Sequence, residues 1–240
     1  MKKLIISGFK FLIYTLISVP LWATGNLLPG ITLSSTRVIY TEYHSATLTV
    51  TNTSPGSYLI QNQVVMPDAK SWGISQLRAP FIIVPPLFRL NPGESHVLKI
   101  IRTGGALPSD KESLFYLTTR FIPQTQKPRQ DGGPTLSVGY QWNMKLLYRP
   151  SAINNEGIAW AVNQLKAYRQ DGNITLLNPT PYWMTLTNIR FCAQREHLQS
   201  LIAIPPNGTV HFYSPVITGN TLDFHVVDER GNSLPVFLKL

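Results

Sequence analysis

Short β-rich runs separated by turn signals recur from residue 31 to the end of this chain, and no long stretch sustains the 3.6-residue period of an amphipathic helix. Residues 46–52 (ATLTVTN) set the pattern: Leu48 and Val50 alternate with Thr47, Thr49 and Thr51, and Thr53-Ser54-Pro55-Gly56 ends the run. Further runs cover 31–40, 58–65, 81–84, 95–101 and 113–121, with Pro85-Pro86 and Asn91-Pro92-Gly93 between them. Paired prolines do not fit a central strand. The longest run, 135–148, follows a polar segment (QTQKPRQDGGP, 124–134) and ends at Arg149-Pro150. A second series covers 158–167, 174–177, 182–189, 209–213, 221–227 and 234–240, with a turn at Asp171-Gly172. With about seven strands before Pro150 and about six after it, the expected fold class is all-β: two immunoglobulin-like β-sandwiches, residues 26–150 and 151–240.

Composition supports that choice. At 43% hydrophobic the chain can bury a core, while 19 prolines and only 14% charged residues do not suit a helical bundle. Cys192 is the single cysteine, which excludes an intrachain disulfide, a cysteine-based zinc cluster and a CxxC redox pair. Beside Phe191 it reads as a small buried apolar residue, and without a Cys…Trp…Cys pattern the sandwiches are not of the antibody type.

The first 25 residues read as a secretory signal peptide. Lys2, Lys3 and Lys10 precede an apolar run over 11–22, and Ala23-Thr24-Gly25 supplies a small-residue exit. The run is short for a membrane span, so the expectation is export followed by cleavage, with no stable membrane insertion of the mature chain. Loss of the three lysines takes the formal charge from +9 to +6. Export, and basic residues scattered without a block longer than two, argue against a nucleic-acid partner.

Chemical signatures are thin. There is no GxSxG, HExxH, P-loop or GxGxxG, and the histidines at 44, 96, 197, 211 and 225 lack the spacing of a helical metal site. Asp223 and Asp228, five apart on a strand, face opposite sides. The expectation is a protein without enzymatic activity, metal or cofactor.

The long run carries the unusual feature. In TLSVGYQWNMKLLYRP, Leu136, Val138, Tyr140, Trp142 and Met144 fall at spacing two and line one face, with Ser137, Gly139, Gln141, Asn143 and Lys145 opposite. The pattern alone leaves two readings open: a half-buried core strand, or an edge strand offering its apolar row to another chain. Arg37 and Lys145 put cations inside β-rich runs, which is costly unless each is paired, solvated or facing a cleft.

Five segments together resemble the PapD-like periplasmic chaperones of the pilus chaperone–usher pathway: STRVIY (35–40), VPPLFRLNPGE (84–94), LPSDKESLFYL (107–117), MKLLYRPSAI (144–153) and NPTPYWMTL (178–186). The resemblance covers essentially all of residues 30–240. It implies two immunoglobulin-like domains set at an angle around a cleft, in the periplasm of a Gram-negative bacterium. By motif match, Arg37 and Lys145 correspond to the cleft pair that anchors a pilus subunit's C-terminal carboxylate. Leu136, Val138, Tyr140 and Trp142 correspond to the donor row that fills a subunit's open groove until another subunit replaces it. Glu112, Arg149 and Asp228 match the family's interdomain salt-bridge set. Leu59, Gln61, Pro85, Pro86 and Ile122 match the surface that contacts the outer-membrane usher. The implied partners are therefore fimbrial subunits and the usher.

The chain also departs from the family's common features. It lacks the disulfide many relatives carry near the end of the second domain, and the loop over 123–135 lacks the paired cysteines of the long-loop subclass. The expectation is the short-loop subclass, associated with rod-forming pili. Tyr140 and Trp142 are bulkier than the usual aliphatic donors. The rival reading is a secreted two-domain adhesin or structural fimbrial component, which predicts a missing final strand; the intact run over 135–148 favours the chaperone. A carbohydrate-active hydrolase would need a carboxylate pair that the sequence does not nominate.

Overall fold

A computed structural model describes residues 30–42, 45–124, 138–153, 156–170, 173–191, 201–213 and 219–240. The signal segment, Leu136, the turn at 171–172 and Cys192 lie outside the described residues. The first sandwich consists of β1 (Ile31–Leu33), β2 (Arg37–Thr41), β3 (Ala46–Asn52), β4 (Tyr58–Pro67), β5 (Ile74–Arg78), β6 (Phe81–Val84), β7 (Leu87–Leu90), β8 (Ser95–Arg102), β9 (Ser113–Pro123) and β10 (Tyr140–Arg149). One sheet runs β1-β3-β8-β6; the other runs β2-β10-β9-β4-β5, with β7 also alongside β4. The inward residues of the alternating runs, among them Leu48, Val50, Ile60, Leu98, Leu117 and Phe121, close the core between the two sheets.

The run over 31–40 is two strands rather than one. β1 pairs antiparallel with β3, and β2 crosses to pair parallel with β10 in the opposite sheet. Serine side chains make the break. Ser34 Oγ accepts from Thr49 N at 3.0 Å, where the ladder to β3 ends, and Ser35 Oγ donates to Arg37 O at 2.6 Å, a local bond at the start of β2.

The second sandwich opens with a correction. The start of the run over 158–167, expected as strand, forms helix α1 (Gly157–Ala161) and then a 3-10 turn over Val162–Gln164. Ile158 and Ala161, three apart, are buried on one side of the helix, and Leu165, extended just past the 3-10 turn, is buried with them. The strands that follow are β11 (Lys166–Gln170), β12 (Asn173–Asn178), β13 (Met184–Phe191), β14 (Ile202–Ile204), β15 (Gly208–Tyr213), β16 (Thr221–Val227) and β17 (Ser233–Lys239). They form sheets β11-β12-β15 and β14-β13-β16-β17, with Leu176, Tyr182, Met184, Leu186 and Phe224 in the core.

A third, smaller apolar cluster joins the sandwiches. Leu114 and Leu147 of the first and Trp183 of the second are buried together, with Trp72 packed against them. The Trp72 and Trp183 rings meet edge to face, with centroids 4.9 Å apart at 72°.

Candidate functional site: an interdomain cleft beside an open strand edge

The parallel register of β2 and β10 sets Arg37 against Lys145, so both side chains leave the same face of the sheet. Tyr116 on β9 lies opposite Lys145 and continues the row. The second sandwich closes over this face and leaves a cleft of about 530 Å³ lined by both cations. Lys145 Nζ donates to Thr185 Oγ1 at 2.7 Å, and Arg37 Nη1 donates to Val227 O at 2.8 Å. Both acceptors belong to the second sandwich. Gly231, at φ 90°, follows β16 and packs on Thr36 Oγ1 where a Cβ would collide, which lets the two sandwiches meet beside Arg37.

Both cations of the cleft are desolvated, and Asp228, Glu229 and Glu112 act on Arg37 from outside its lining. Burial, with Arg37 beside it, pushes Lys145 from the ordinary lysine value of 10.5 down to about 8. Burial likewise lowers Arg37, whose Nε is buried without a hydrogen-bond partner. No carboxylate stands among the described residues that line the cleft. Two desolvated cations with donors to spare can bind an anion the size of a carboxylate through charge-assisted hydrogen bonds.

The open edge begins where the cleft ends. β10 pairs with β9 from Tyr140 to Tyr148 but with β2 only from Lys145 to Arg149. Among the described residues, the segment from Tyr140 to Met144 therefore has no partner strand on its other side. The strand begins at Tyr140, later than the run over 135–148 suggested, and Val138 stands before it, 66% exposed. Tyr140 and Trp142 are each 37% exposed, whereas Met144 is buried in the core. Phe121 ties the row together, stacked on Tyr140 at 4.8 Å and edge-on to Trp142 at 5.2 Å. The apolar row is thus the core face of the sandwich continuing past its last covering strand. On the other face, Arg120 Nε donates to Gln141 Oε1 at 2.7 Å, and Gln141 Nε2 donates to Asn143 Oδ1 at 2.6 Å.

The interdomain ion cluster differs from expectation in one member. Arg149 Nε contacts Glu112 Oε1 at 2.8 Å, and its Nη2 contacts Glu229 Oε1 at 2.9 Å. Asp228 does not complete this set; its neighbour Glu229 does. Asp228 Oδ1 instead accepts from Arg230 N and Asn232 N at 2.9 and 2.7 Å, closing the turn from β16 to β17. The shorter acid suits its own turn, and the longer one reaches Arg149. Burial pushes the Glu112 carboxyl up even beside Arg149, and Glu112 Oε2 also accepts from Trp183 N at 2.8 Å.

The surface residues matched to the usher form one face. Leu59 lies opposite Ile122 across β4 and β9, and Gln61 opposite Leu87 across β4 and β7. Leu59, Gln61, Pro86 and Ile122 are exposed. Asn62 N donates to Pro86 O at 2.7 Å, and Asn62 Nδ2 donates to Pro85 O at 3.4 Å, docking the proline pair against β4. Leu87, also exposed, joins this patch and was not singled out from sequence. Thr185, Glu229 and Trp72 are the other contributors that sequence reasoning missed; the first two belong to the second sandwich, and nothing local marks them.

Residues 30–154 match the family model described as pili and flagellar-assembly chaperone, PapD N-terminal domain, and residues 160–236 match the PapD C-terminal domain. The probable fimbrial chaperone protein ElfD of Escherichia coli K12 is 38% identical over 175 residues, 70% of this chain and 69% of that protein. Chaperone protein FocC of Escherichia coli is 34% identical over 206 residues, 84% of this chain and 86% of that one. A chain from the structure of Salmonella enterica SafA pilin in complex with the SafB chaperone aligns with a TM-score of 0.78 at 27% identity, covering 89% of this chain and 98% of that chain.

Proposed function

The chain belongs to the PapD family of pilus-assembly chaperones and serves the chaperone–usher pathway, and on that premise we propose that it captures fimbrial subunits by their free C-terminus. The subunit's terminal carboxylate enters the cleft, pairs with Arg37 and Lys145, and fixes the register of the strand that ends in it. That strand adds to the open edge of β10 from Tyr140 to Met144. Main-chain hydrogen bonds form along the edge, and Val138, Tyr140 and Trp142, with Leu136 upstream, supply apolar side chains to the subunit's groove. The subunit is held folded until another subunit takes over the groove. Delivery to the outer-membrane usher runs through the face of Leu59, Gln61, Pro85, Pro86 and Ile122, in the periplasm. No catalysis, metal or cofactor is required.

One observation carries this reading: the two cations sit side by side at the end of a strand edge that continues the core's apolar row. Co-purification of tagged wild-type and Lys145→Ala protein with fimbrial subunits from the periplasm tests it. A one-to-one subunit complex with the wild type, lost in the folded variant, is expected. Equal subunit recovery by both proteins would overturn the anchor.

A further inference from the structure

A second chamber, about 310 Å³ in volume, lies at the joint of the two sandwiches. The first sandwich contributes Met66, Trp72 and Leu107 to its lining, and the second contributes Trp183, Pro205 and Pro206. Among the described residues, Trp72 is the one lining residue that it shares with the cleft of Arg37 and Lys145. Small-molecule sites favour such junctions between domains, and about 300 Å³ is the lower end of their usual size.

Hydrogen bonds fix both tryptophans of this chamber. Trp183 Nε1 donates to Glu112 O at 3.2 Å, and Trp183 N donates to Glu112 Oε2 at 2.8 Å. Trp72 N donates to Asp68 O at 3.0 Å, and Trp72 O accepts from Tyr116 OH at 2.7 Å. The apolar walls are therefore organised before anything binds, which lowers the entropy lost on contact. Glu112 also belongs to the lining, but its carboxylate is wholly buried and spent on Arg149 and Trp183 N. Two polar groups of the lining are not spent. The Lys111 ammonium and the Ser113 hydroxyl have no hydrogen-bond or ion-pair partner among the described residues, and both residues are half-buried.

We infer that this chamber binds a small aromatic carboxylic acid, with its ring against Trp72 and Trp183 and its carboxylate at Lys111 and Ser113. Aromatic walls favour an aromatic guest through edge-on and offset contacts beyond the area buried. A cation and a hydroxyl, both with donors to spare, favour a carboxylate through charge-assisted hydrogen bonds. A ring of the same size carrying an amine meets repulsion at Lys111 instead. Because the walls come from both sandwiches, the guest makes its full contact only while they stay docked, so occupancy stabilises the joint. The site takes no part in the capture proposed above, and the inference does not depend on that capture.

The test uses naphthalene-1-acetate as probe and 1-naphthylmethylamine as the same ring bearing a cation. Each is titrated into the nitrogen-15-labelled chaperone while the tryptophan indole N–H resonances are followed by NMR. Trp183 lines the chamber alone, Trp72 lines both cavities and Trp160 lines neither, so the three resonances locate the probe. We expect the acid to shift Trp183 and Trp72 but not Trp160. Its dissociation constant should be about 1 mM or below, which roughly 14 non-hydrogen atoms reach at ordinary ligand efficiency. The amine should bind about tenfold more weakly, and Lys111→Gln should weaken the acid about threefold without weakening the amine. In Lys145→Ala the effect of the acid on Trp183 should be unchanged. A Trp183 resonance unmoved at about ten times that concentration, equal affinity for acid and amine, or acid affinity unchanged in Lys111→Gln would overturn the inference. Loss of the Trp183 shift in Lys145→Ala would overturn it too, by placing the acid in the neighbouring cleft.

Discussion

Arg37 and Lys145 are neighbours in one sheet, yet each spends a hydrogen bond on the other sandwich: Arg37 on the carbonyl of Val227 and Lys145 on the hydroxyl of Thr185. These are neutral acceptors for charged donors. A carboxylate offers both cations a better partner, and its arrival relieves the mutual repulsion that burial magnifies.

Lys145 should therefore leave a signature in the pH dependence of stability. Its value in the folded chain, about 8, lies below the ordinary 10.5. Between those values the unfolded chain binds more protons than the folded one, so stability rises with pH across that window. In the difference between wild type and Lys145→Met the gain should be on the order of 2 kcal/mol from pH 7 to pH 10. Urea unfolding of both proteins at several pH values measures it, and parallel curves would contradict the burial of a charged Lys145. Peptide affinity should run the other way, falling as pH rises past about 8, because the anchor loses its charge.

Charge placed at Val138 separates donation from folding. The side chain stands in solvent before β10, so Val138→Asp should change stability by less than about 0.5 kcal/mol. Recovery of subunit complexes should nonetheless fall several-fold, because the residue belongs to the apolar row. Pull-down yield, read beside the thermal midpoint, checks both halves.

The ion cluster predicts an order of damage. Glu112→Ala removes a buried carboxylate and leaves Arg149 partly uncompensated, which should cost about 3 kcal/mol. Glu229→Ala removes the more exposed partner and should cost less. Asp228→Ala loses turn hydrogen bonds and a through-space attraction to Arg37, about 1 kcal/mol. Denaturant midpoints for the three variants give the ranking, and Asp228 ranking above Glu229 would contradict the pairing described.

Leu59→Ser and Ile122→Ser test the far end of the sheet that carries Lys145. The two residues face each other across β4 and β9, outside the core and away from the cleft. Subunit complexes should form normally in these variants, while pilus assembly on the cell surface drops. Loss of the subunit complex itself would show that the patch serves the fold or the capture step.

Much of this architecture is legible in the sequence because alternation is a local signal. Thr47, Leu48, Thr49 and Val50 declare both strand and face, and Phe81–Val84 and Thr221–Val227 keep their limits in the structure. The failures have physical causes. α1 is one turn and a half, too short for a helical period to separate from a β-rich run. β5, with Ile74, Leu77 and Arg78 exposed on an edge, has no buried face to create alternation. At the site, Arg37 and Lys145 are recognisable by motif, but their acceptors are long-range: Thr185 lies 40 residues from Lys145. The exchange of Asp228 for Glu229 turns on side-chain length, which adjacency in sequence cannot decide.

β10 is clamped between two strands over its second half and open along one edge over its first. Under the proposed capture, a guest strand whose end is pinned beside Lys145 would have no freedom to slide, and the strand would work as a ruler read from the guest's terminus. Side chains alternate with a period of two. One residue added after the guest's natural end would turn every apolar side chain away from Trp142 and Tyr140, and two would restore the phase with the pattern displaced by one pocket. Parity of the tail, as much as its chemistry, would then decide which chains this edge accepts.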